Sequence, residues 1–205
     1  MEGTLSVSRI NFDGAALKRG FWLYVAEIVH SPGQAVAYVG RTGDTSSANA
    51  ASLFTRITAH LSEKKNAKAN SLLKRLVEQD LPYQECSYRF FGIGPLFEQQ
   101  TSMELHKPIR DQMAGLERAV ADHLRDKGYH VLGEHPKARH VDEQLLNRVL
   151  KVVDEEFSEP LNSQIQRTGV FLRAPSAKPR KNPWWWVMLG LICFSLVWSL
   201  IRDAC

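Results

Sequence analysis

Two β-prone runs, "FWLYVAEIV" (21–29) and "AVAYVG" (35–40), stand only five residues apart, and that pairing limits the chain more than any other feature. Aromatic and β-branched residues crowd both runs, and the intervening "HSPGQ" carries a Pro-Gly turn signal, so the sequence predicts an antiparallel hairpin. Tyr24 and Tyr38 then lie on opposite arms, and the loop length decides whether they meet. A two-residue loop at Pro32-Gly33 sets Glu27 opposite Tyr38 and turns the tyrosines to opposite faces. An odd loop, Pro32 to Gln34, sets Ile28 opposite Tyr38 and gathers Tyr24, Ala26, Tyr38 and Gly40 on one face. Pro-Gly favours a type II turn, which suits the longer loop, and a bulge would change the parity.

After the hairpin, "GRTGDTSS" changes direction and supplies Asp, Thr and Ser as helix caps. A helix is expected over 48–64, with Leu53, Ile57 and Leu61 as its apolar stripe. A shorter one follows over 69–79, through Leu72, Leu73, Leu76 and Val77. "YQECSYRFFGIG" reads as a third strand, with "GIGP" as its end. The stretch "TSMELHKPIRDQMAGLERAVADHLRDKG" predicts a long helix, interrupted near Pro108 and stopped at Gly128. "VDEQLLNRVLKVVDEEF" places Val141, Leu145, Val149, Val152 and Val153 near one face of a last amphipathic helix. The order defines a small α+β domain, its mainly antiparallel sheet flanked by helices.

The C-terminal part is of another kind. Pro160, Pro175, Pro179 and Pro183 make 158–183 a basic linker. Residues 184–201, "WWWVMLGLICFSLVWSLI", carry no charge and as a helix would span roughly 27 Å, the thickness of a hydrocarbon core. Tryptophans at its start suit the head-group boundary. Lys178, Arg180 and Lys181 before it, against Arg202 and Asp203 behind, put the folded part in the cytoplasm. The expectation is a membrane protein with a single-pass C-terminal anchor, leaving 202–205 as a short tail. The net charge of +4 favours polyanionic partners. Three scattered cysteines form neither a disulfide framework nor a zinc site.

One polar side chain sits where an apolar one is expected, and two more border an apolar stripe. Glu117 falls inside the stripe of Met113, Leu116, Val120, Ala121 and Leu124, where a carboxylate needs either an ion-pair partner or a hard cation. Arg56 and His60, four apart, share a helix face beside the Leu53/Ile57/Leu61 stripe. They read as solvated charges or as a phosphate-binding pair. His130, His135 and His140 are five apart and suit no single helix face; surface histidines are the simpler reading over zinc.

Taken in order, "LYV", "YVG", "RITAH" and "ERAVADHL" resemble the GIY-YIG endonuclease domain over about 20–136. The stretch 1–19 then becomes an N-terminal extension and 137–157 a helical extension. The resemblance maps Tyr24 onto the first motif, Tyr38 and Gly40 onto the second, Arg56 onto the helix arginine, His60 onto its frequent assistant and Glu117 onto the metal-binding glutamate. Trp22 stands where the family usually has glycine, and Arg41 where glutamine or lysine is common. The resemblance implies hydrolysis of nucleic-acid phosphodiesters, with DNA favoured over RNA. It implies one Mg²⁺ or Mn²⁺ on Glu117, a base from Tyr24 or Tyr38, charge stabilisation by Arg56 with His60 assisting, and Gly40 and Arg41 at the substrate. A catalytically inactive GIY-YIG-like module, docking nucleic acid or protein at a membrane, is the alternative.

Overall fold

A computed structural model of the chain describes residues 7–31, 34–64, 70–135, 137 and 139–157, with only the backbone at Gln34. The linker and anchor expected over 158–201 lie outside the described residues. Among the described residues, no helix is long and apolar enough to cross a membrane.

The fold is α+β. Strands β1 (Phe21–Ser31), β2 (Gln34–Arg41) and β3 (Ser87–Phe97) form an antiparallel sheet in the order β2-β1-β3. Helices α1 (Leu53–His60), α2 (Ser71–Glu78), α3 (Met103–Asp126) and α4 (Glu143–Glu156) flank it. β1 is central and buried from Phe21 to Ile28, which is why its sequence runs apolar instead of alternating. Trp22, Tyr24, Ala26 and Ile28 face α1 and α2. Phe21, Leu23 and Val25 face α3 and α4. Each Leu or Phe fully buried in these layers contributes about 2 kcal/mol.

The hairpin resolves the parity question in an unexpected way. Ser31 pairs with Gln34, the closure of the shorter loop, but Val29 pairs with Ala35 and Ala26 with Tyr38. One extra residue has entered β1 between Val29 and Ser31. This bulge restores the even register, so Tyr24 lies opposite Gly40 and shares a face with Tyr38. The face is the one the odd loop would give; the cause is the bulge, and Ala26 replaces Ile28 as the partner of Tyr38.

Element boundaries differ from expectation for local reasons. α1 starts at Leu53 because residues 49–52 run beside residues 19–20: Gly20 N donates to Ala50 O at 3.2 Å, and Arg19 bridges Ser52. Ser52 then caps the helix by accepting from Thr55 N at 3.2 Å. α3 continues unbroken through Pro108, which lies near its start, where the carbonyl that loses a partner belongs to exposed Glu104. β3 runs on through the expected end at "GIGP" to Phe97. α4 buries Leu145, Val149 and Val153, and Val152 is exposed. Together with Phe157, these side chains complete the core beneath the sheet.

Candidate active site at the β2 edge

Tyr24 is fully buried, and its ring lies over Gly40. A Cβ at Gly40 would come within 2.5 Å of Tyr24 Cζ, so only glycine admits the phenol there. On the other side of β1, Gly92 pairs with Tyr24, and the space above it holds the Leu53 side chain of α1. Two glycines in one row thus seat the tyrosine and the helix carrying Arg56 and His60.

His60 is also fully buried, not a solvated charge. Its Nε2 is hydrogen-bonded to Tyr24 Oη, and its Nδ1 lies 2.9 Å from Ser71 Oγ. Ser71 Oγ lies in turn 3.1 Å from Tyr38 Oη. A continuous chain therefore runs Tyr24, His60, Ser71, Tyr38. Burial, followed by the Arg56 charge, pushes His60 down to about 3, so the ring is neutral at physiological pH. Burial pushes both phenols up: Tyr24 well above the ordinary tyrosine range, Tyr38 less. Tyr38 keeps partial exposure, and Tyr24 has none.

Glu117 comes from α3, on the opposite face of the sheet. It meets Arg41, whose side chain follows Gly40 on β2 and so points to that face; Arg41 Nε donates to Glu117 Oε2 at 3.1 Å. Their side chains are 17% and 15% exposed, so this is a largely desolvated pair at the sheet edge. Burial raises the Glu117 pKa, opposed by Arg41 and then Arg56. Because β2 is an edge strand, groups from both faces converge around it. Glu117 acts electrostatically on both phenols, and so does Arg56.

Arg56 is half-buried, and its Nε is buried without a hydrogen-bond partner among the described residues. Arg56 borders a cleft of about 350 Å³, lined also by Asp44, Thr45, Ser46 and Thr55. His106 and Arg110 of α3 hold the loop forming this wall: His106 Nε2 bonds to Asp44 O at 2.9 Å and Arg110 Nη1 donates to Thr45 O at 3.1 Å.

The seven residues assigned roles through the resemblance, Tyr24, Tyr38, Gly40, Arg41, Arg56, His60 and Glu117, lie around this edge. Gly40 is buried beneath the Tyr24 phenol, and Arg41 is paired with Glu117. Ser71 was not anticipated, because a serine opening a helix reads as ordinary capping chemistry. Of the three spaced histidines, His135 bonds to Arg125 Nη2 through Nδ1 at 3.0 Å. No cluster of three or more His, Cys, Asp or Glu suited to a metal occurs among the described residues. No family model, curated protein or solved structure matches the chain.

Proposed function

We propose that the chain is a divalent-metal-dependent endonuclease of GIY-YIG type, hydrolysing nucleic-acid phosphodiesters, with DNA favoured over RNA. The observation that carries the reading is the convergence of Tyr38, Arg56 and Glu117 within electrostatic reach of one another at the β2 edge. Glu117 offers one carboxylate, and only its Oε2 has a partner among the described residues. Mg²⁺ or Mn²⁺, which keeps most of its water ligands, needs only one or two carboxylates, so this donor set fits a hydrated ion. When bound on Glu117, such an ion would supply positive charge against the negative charge that grows on the phosphate.

The roles of the protein groups follow from exposure. Tyr38 is the partly exposed phenol and Tyr24 the fully buried one, so Tyr38 is assigned as the base and Tyr24 as its support. A water oxygen bonds to phosphorus as the bond to one sugar oxygen breaks. The water proton passes to the Tyr38 oxygen in the small fraction of molecules whose phenol has lost its own proton to solvent, since burial holds that pKa above the ordinary value, and the departing oxygen takes a proton from solvent. Arg56, on the wall of the cleft, donates to the phosphate as negative charge grows. His60, buried and neutral, is not an imidazolium that could protonate a leaving group, and the assisting role expected for it becomes one of positioning.

A second reading is a non-catalytic docking module. The Arg41–Glu117 ion pair favours it, because a guanidinium already neutralises the carboxylate that a metal would use. Incubating the full-length chain in detergent with single-stranded, double-stranded and branched DNA and with RNA, with Mg²⁺, Mn²⁺ or EDTA, separates the two. Metal-dependent cleavage that Glu117→Ala abolishes supports the nuclease. No cleavage of any substrate supports docking. The uncharged run 184–201 is proposed to tether the domain to a membrane from the cytoplasmic side.

A further inference from the structure

We propose that Ser71 is a positioning residue, which fixes the tautomer of His60 and turns its own hydroxyl proton toward the Tyr38 oxygen. The catalytic consequence rests on the nuclease reading, whereas the hydrogen-bond pattern stands without it.

Counting donors and acceptors along the chain gives its direction. The Tyr24 oxygen is fully buried, and among the described residues its one hydrogen-bond partner with a lone pair to offer is His60 Nε2. The nearby Arg56 guanidinium has only donors. A buried hydroxyl proton without an acceptor costs about 1–3 kcal/mol, so Tyr24 donates to Nε2. A neutral His60 then carries its single ring proton on Nδ1, and Nδ1–H donates to Ser71 Oγ at 2.9 Å. Ser71 has one proton left to place, and its other partner is Tyr38 Oη at 3.1 Å. Tyr38 therefore accepts from Ser71, and its own proton faces away from the chain.

This direction suits a base. A phenol oxygen that receives a hydrogen bond holds negative charge better. The groups acting on Tyr38 are Ser71 and Arg75 of α2, Arg56 of α1 and Glu117 of α3. Burial and Glu117 work against ionisation, while Ser71, Arg56 and Arg75 work for it. Among these Ser71 acts by a directed bond, and Tyr24 and His60 decide where that bond points.

The test uses the full-length chain in detergent, labelled with ¹⁵N in histidine rings and ¹³C at tyrosine Cζ. In the wild type, His60 should show a protonated Nδ1 and an unprotonated Nε2. Ser71→Ala should move the Tyr38 titration to higher pH. On a cleavable DNA it should lower kcat at pH 7 about ten-fold, the equivalent of one hydrogen bond, with KM nearly unchanged. Ser71→Thr, which keeps the hydroxyl, should restore both. A wild-type His60 protonated on Nε2 would overturn the proposal and needs no variant that might misfold. An unmoved Tyr38 titration in Ser71→Ala would also overturn it. Should the wild type cleave nothing, the nuclease reading fails and the two spectra still decide the role of Ser71.

Discussion

Arg41 Nε reaches Glu117 Oε2 at 3.1 Å, joining the edge strand β2 to helix α3 across a largely desolvated gap. Removing the guanidinium leaves a buried carboxylate without its counter-charge. Arg41→Met should therefore destabilise the protein at pH 7.5 by about 2–3 kcal/mol. The Glu117 pKa is already raised by burial and loses a group that lowers it, so it rises further. A raised carboxyl pKa means that the folded state holds the proton more tightly, so the penalty fades as pH falls through that pKa. Urea midpoints of both proteins should be well separated at pH 7.5 and converge toward pH 4.

Gly40 admits no side chain while Tyr24 keeps its place. Gly40→Ala should push the phenol aside, break its bond to His60 and cost about 1–3 kcal/mol through overpacking. Thermal melting measures the loss, and the ¹³C signal of Tyr24 reports the displaced ring.

His60 and His135 have pKa values pushed down by burial, to about 3 and about 4. Unfolding lets each take up a proton near pH 6.5, so stability is full above that value and falls as pH drops toward the folded values. While both titrate only in the unfolded chain, each adds about 1.4 kcal/mol per pH unit to the slope. Stability curves from pH 7 to 4.5 should be shallower for His135→Gln by close to one proton.

Under the nuclease reading, Tyr38→Phe should lower kcat about 100-fold or more, with a melting temperature near wild type. Tyr24→Phe strips the donor from His60 Nε2, so it should lower stability by about 1–3 kcal/mol and reduce kcat less. Equal losses of kcat with no change in melting would contradict the assignment of Tyr38 as the base.

If residues 184–201 anchor the chain, a version ending at residue 183 should move from the membrane pellet to the supernatant on ultracentrifugation of expressing cells. Retention in the pellet would place the membrane attachment elsewhere.

Local chemistry settled a good deal of this protein from its sequence. Aromatic and β-branched runs around Pro-Gly specify a hairpin, helical spacing specifies α3 and α4, and a carboxylate inside the stripe of α3 marks Glu117, because each signal is written in residues near one another along the chain. Register, burial and hydrogen-bond direction depend on residues far apart. A single bulged residue in β1 decided that Tyr24 and Tyr38 share a face. Packing of α1 over Gly92 turned His60 inward. The edge position of β2 let Glu117 approach from the opposite side. Ser71 shows the division most clearly: 11 residues along from His60 and 33 from Tyr38, it joins them only because α1 and α2 dock on the same face of the sheet.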